Sequence, residues 1–86
     1  MLESDRKMLL KAIRLLELGD WEEAHRIAQR NPDAYGNWLH AILHKIEGDR
    51  SNAAYWYNRA GAPERIAMPV EEELRELERQ LQEEVS

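Results

Sequence analysis

The chain has 86 residues, a net charge of -5 and no cysteine, which allows one hydrophobic core and excludes disulfides, thiolate nucleophiles and sulfur-ligated zinc. The acidic excess lies in residues 69–86, where seven glutamates meet only Arg75 and Arg79. With no basic stripe to neutralise phosphates, neither nucleic acid nor an anionic membrane surface is an expected partner.

In chain order, Ser4 is a suitable N-cap for a first helix, with Asp5 in the first turn where the helix dipole favours negative charge. Leu9, Ala12, Ile13 and Leu16 recur at helical spacing and predict one buried stripe. Gly19 ends the pattern. Asp20 then caps a second helix through Trp21, Ala24, Ile27 and Ala28, with Glu23 placed to close a capping box. Asn31-Pro32 ends that helix and opens a third, to about Glu47, whose first turns Gly36 weakens. Gly48-Asp49 repeats the earlier punctuation, and a fourth helix carries Ala53 through Ala60 before Gly61 and Pro63. After a short turn, Met68-Pro69 opens a last helix to about Glu84. There Val70, Leu74, Leu77 and Leu81 form a narrow seam, and Glu71 with Arg75 and Arg79 with Glu83 can pair one turn apart. This helix is expected to cap its own hairpins, with homodimerisation as the alternative. The charged N-terminus and the lack of any apolar run of about 20 residues set a cytoplasmic expectation.

The two Gly-Asp turns stand 29 residues apart, and that offset also superposes Leu10 on Leu39, Ala12 on Ala41, Ile13 on Ile42, Ala24 on Ala53 and Arg30 on Arg59. Small residues beside each turn let two antiparallel helices approach closely. Gly19-Asp20-Trp21-Glu22-Glu23-Ala24 resembles the turn of a tetratricopeptide repeat, and Gly48-Asp49 with Ala53 resembles it again. The period is shorter than the usual ~34 residues, because Pro32 cuts the second helix. The stretch His40, His44, Glu47-Gly48-Asp49, Asn52-Ala53, Tyr55-Trp56-Tyr57 and Arg59-Ala60-Gly61, with Trp21, Ala24 and His25 upstream, also resembles a family of short uncharacterised microbial and fungal proteins. Both resemblances imply a fold. The expected architecture is one all-α domain over residues 1–86: a first hairpin over about 4–31, a second over about 32–61, and a capping helix over about 69–84.

His40, His44 and Glu47 fall at i, i+4 and i+7, a spacing that suits a zinc or nickel ion, and His25 on the preceding helix can approach them. The preferred alternative packs both histidines against the fourth helix near Ala53 and Tyr57, where tyrosine hydroxyls, Asn52 or a helix terminus would bond them. Tyr55-Trp56-Tyr57 spans about 200° of a helix at 100° per residue, so at least one ring must meet a second surface. That surface is either the C-terminal helix or a partner, for which Tyr55, Trp56 and Arg59 would be anchors; Arg59 stacked on Tyr55 is preferred over Arg59 held for a carboxylate. Ala41 directly after His40 excludes the zinc-protease signature, and there is neither a Gly-rich phosphate loop nor a nucleophile elbow. No catalytic residue, bound metal or cofactor is therefore assigned. The expected function is a non-catalytic interaction module for a protein partner or a second copy; the alternative is small-ligand or metal binding at His40, His44 and Glu47.

Overall fold

Leu9, Ala12 and Ile13 line one side of the first helix and are buried in the computed structural model, which describes residues 1–84. The helices are α1 (Glu3–Glu17), α2 (Trp21–Gln29), α3 (Ala34–Ile46), α4 (Arg50–Arg59) and α5 (Val70–Glu83), with a 3₁₀ turn at Pro63–Ala67. No strand occurs among the described residues, so the all-α expectation holds. α1 packs on α2, α2 on α3 and α3 on α4; α5 lies against α1 and α3, and the 3₁₀ turn lies against α4. Among the described residues, no helix is long and apolar enough to cross a membrane.

The two Gly-Asp turns share one hydrogen-bond plan. Gly19 and Gly48 take φ of +90° and +88°, which an L side chain strains to adopt. The next amide then reaches back five residues, Asp20 N to Leu15 O at 2.9 Å and Asp49 N to His44 O at 3.0 Å, closing the preceding helix. The same aspartates cap the following helix, accepting from the amides of Glu23 and Asn52.

Three helix starts differ from the sequence expectation. Leu2, not Ser4, stands at the N-cap of α1, and Glu3 holds the Arg6 guanidinium at 2.8 Å. The capping box at Asp20 does not close, since Leu15 O occupies the Asp20 amide and the Glu23 carboxylate pairs with Arg26 instead. α3 is capped by Asp33, whose carboxylate accepts from Gly36 N at 2.8 Å, while Asn31 finishes α2 by donating its carboxamide to Ile27 O. Gly36 has a packing role: a Cβ there would stand 1.6 Å from Asn31 O. The α2–α3 connection closes only without a side chain at that position.

Ala12, Ala24, Ala41 and Ala53 are fully buried, as their place beside the turns predicts. Around them pack Leu9, Ile13, Ile27, Leu39, Ile42 and Leu43. The last helix is rotated from its expected seam: Leu77 and Leu81 are buried together with Glu73, while Val70 and Leu74 are half-buried. Arg79 pairs with both Glu83 and Glu76, and Glu71 and Arg75 form no ion pair among the described residues. The second side of α4 is covered by the 3₁₀ turn, not by the main chain of the C-terminal helix.

Candidate functional site

The i, i+4 spacing of His40 and His44 sets both rings on one side of α3, between α2 and α4. They are 4% and 8% exposed. His25 on α2 meets them: its Nε2 lies 3.0 Å from His40 Nε2, one imidazole donating to the other. His44 Nδ1 lies 2.6 Å from the Glu47 carboxylate, which only accepts, so that nitrogen carries a proton, and in the neutral ring the lone pair is on Nε2. Asn52 Nδ2, a donor, stands 3.5 Å from that Nε2.

Two indoles close the cluster. Trp21 stacks on His25 with centroids 4.7 Å apart, and Trp56 stacks on His40 at 3.9 Å. Trp21 Nε1 donates to Leu43 O at 2.9 Å, which ties α2 to α3. Burial holds the His40 imidazole down to about 4, with His25 and His44 adding to the effect. Burial also lowers His25, with His44 adding and Glu47 opposing. These two rings are neutral at pH 7, so each has one protonated nitrogen and one lone pair, and their mutual hydrogen bond uses the proton of one and the lone pair of the other.

The three rings of Tyr55-Trp56-Tyr57 take different environments. Tyr57 is buried, Trp56 is half-buried and Tyr55 is 53% exposed. The Arg59 guanidinium lies 5.7 Å from the ring centroids of both Tyr55 and Trp56, so the expected stacking of Arg59 on Tyr55 is present. The histidines are packed against α4 as the preferred reading expects; of the partners it named, Asn52 stands beside His44, while the Tyr57 hydroxyl donates to Glu73 instead. Glu47 also differs in place: it holds His44 from Nδ1, while His25 supplies the third ring nitrogen near His40 and His44.

Beside the cluster is a cavity of about 210 Å³ lined by Ala28, Gln29, Pro32, Asn37, His40 and Trp56. Asn37 in its wall is 5% exposed. Trp56 is thus shared by the imidazole cluster, the cavity wall and the exposed Tyr55–Arg59 platform.

Sequence reasoning passed over Glu73, which is fully buried on α5. Its Oε2 accepts from Trp38 Nε1 at 2.8 Å and from Tyr57 Oη at 2.6 Å, and its Oε1 lies 2.5 Å from Lys45 Nζ. Lys45 also donates to the carbonyls of Arg65, Ile66 and Met68, fixing the 3₁₀ turn. Burial and the Glu73 carboxylate push the Tyr57 phenol up. The available signal was the spacing of 73, 77 and 81, which puts Glu73 on the same face as two core leucines.

No protein-family model, curated protein or solved structure compared with the chain matches it.

Proposed function

We propose that the chain is a tetratricopeptide-like helical-repeat module that recognises a protein partner on the α4 face, with Trp56, Tyr55 and Arg59 as anchors. The repeat reading is supported by the duplicated Gly-Asp turns, the four buried alanines beside them and the serial packing of α1 to α4. In this reading the recognition surface belongs to the second hairpin, since the first has Lys11 and Leu15 where the second has His40 and His44.

The observation that carries the recognition reading is the position of Trp56. One side of its indole is fixed by the His40 stack, the residue lines the cavity of about 210 Å³, and Tyr55 meets it edge-on at 5.1 Å. An aromatic already held in place loses little freedom on binding, and Trp, Tyr and Arg dominate interface energetics. The complementary ligand is a short peptide segment with a small polar side chain for the cavity, whose wall includes Asn37, and an acidic group for Arg59.

Selection of a random-peptide display library on the immobilised protein tests this. Enriched sequences should carry an acidic residue near a small polar one and should lose binding to Tyr55→Ala and Arg59→Ala proteins of unchanged helicity. Failure to enrich, or enriched peptides indifferent to both substitutions, would remove the reading. Sedimentation velocity of the protein alone, with the same variants, tests whether a second copy is the partner.

A further inference from the structure

We propose that His25, His40 and His44 form a three-nitrogen site for one divalent late transition ion of the zinc, cobalt or nickel class, bridging the two hairpins. One ring nitrogen from each lies within 4.8 Å of the other two. Four-coordinate zinc with Zn–N bonds of about 2.0–2.1 Å places its ligand nitrogens roughly 3.3 Å apart. The His25 and His40 Nε2 atoms, at 3.0 Å, already approximate one such edge. The gap to His44, at most 4.8 Å, is closed by a small approach of α2 to α3 with the rings keeping their partners.

The surroundings match what a metal-bound imidazole requires. Glu47 accepts from His44 Nδ1 at 2.6 Å, the carboxylate–histidine arrangement that fixes a ring and leaves Nε2 for the ion. Trp21 and Trp56 stack on His25 and His40, holding those planes. In the His25–His40 hydrogen bond one ring donates from Nε2; on metal binding that proton moves to Nδ1 of the same ring, so both Nε2 atoms bind as neutral donors and no proton is released. Three protein ligands leave a fourth position to solvent or to an added donor.

The location gives the ion a consequence. His25 belongs to α2 in the first hairpin and His40 and His44 to α3 in the second. An ion there would tie the two hairpins together in a chain whose length gives it a small core. This site does not depend on the peptide-binding reading, because Tyr55 and Arg59 contribute no ligand to it.

The test uses untagged full-length protein, stripped with chelator and titrated with cobalt(II) and zinc(II) chloride. The expected result is one cobalt per chain with the intense visible bands of a four-coordinate centre. Zinc at 100 times its Kd should raise the Tm by on the order of 10 °C. His25→Gln, at a half-buried position, should abolish both while leaving the metal-free Tm within a few degrees. Glu47→Gln should weaken zinc binding by about 10–100-fold. In the wild-type protein, which needs no variant to fold, zinc should move the side-chain ¹⁵N resonances of all three histidines together. Absence of the cobalt spectrum and of the Tm shift would overturn the proposal. So would binding that survives His25→Gln and is lost in Asp49→Asn, since it would place the ion at the turn formed by buried His44 and exposed Glu47 and Asp49.

Discussion

Glu73 on α5 and Lys45 on α3 form a 2.5 Å salt bridge in which the carboxylate has no solvent exposure. A buried ion pair is expensive to desolvate, and removing one member strands the other. Glu73→Ala should therefore cost about 3–5 kcal/mol, against a total of about 5–15 kcal/mol for a typical domain. It also removes the acceptor for Trp38 and Tyr57. The Lys45→Met, Glu73→Leu double variant should recover much of the loss. Urea denaturation checks both, and a loss below about 1 kcal/mol for Glu73→Ala would mean the pair is effectively hydrated.

Tyr57 and Tyr55, two residues apart, should respond oppositely to loss of a hydroxyl. Tyr57→Phe leaves a buried carboxylate oxygen short of a donor and should cost about 1–3 kcal/mol. Tyr55→Phe, at an exposed ring, should stay within about 0.5 kcal/mol. Equal effects in thermal unfolding would contradict the assignment of Tyr57 to the core and Tyr55 to the surface.

Much of the fold is legible in local sequence. Gly19-Asp20 and Gly48-Asp49 state their own chemistry, because a left-handed glycine ends one helix and the next side chain caps another. Their fully buried alanines follow from the same spacing. Glu73 was hidden for the opposite reason. It sits in a run of three glutamates that reads as a solvated face, and its partners Trp38, Lys45 and Tyr57 lie 35, 28 and 16 residues away. In the site, the His40 and His44 pair is visible as an i, i+4 motif, but the choice of His25 over Glu47 as third member depends on how α2 lies against α3. For Tyr55-Trp56-Tyr57, three adjacent rings identify a two-sided helix without saying which ring turns inward.

Gly36 and Gly19 separate steric need from conformational need. Gly36→Ala drives a Cβ to 1.6 Å from a backbone oxygen and must displace the α2–α3 connection. Gly19→Ala meets no atom within 4 Å and suffers only the positive φ, worth about 1–2 kcal/mol. The first substitution should be the more damaging by denaturant midpoint. The reverse order would mean that the connection relaxes freely.

The imidazole cluster sets a pH dependence. His40 titrates near 6.5 when unfolded and near 4 when folded. Between those values the unfolded chain binds more protons, so stability falls as the pH drops through that window. Above 6.5 both states are neutral, and below 4 both are charged, so this group adds no further loss. From pH 7 to pH 5 the contribution is about 2 kcal/mol, and the lowered His25 acts in the same direction. Metal-free His40→Gln protein should show a flatter Tm profile over that range. An unchanged slope would mean that His40 is protonated equally easily in both states.

Calorimetric titration of a display-selected peptide into the wild-type, Tyr55→Ala and Tyr57→Phe proteins, with urea unfolding of each, is the most direct test of recognition on the α4 face. Tyr55→Ala should weaken the Kd at least tenfold, about 1.4 kcal/mol, with stability nearly unchanged. Tyr57→Phe should lower stability and leave the Kd within a factor of about two. Full affinity in Tyr55→Ala, with affinity lost in Tyr57→Phe, would contradict the assignment of recognition to the exposed rings.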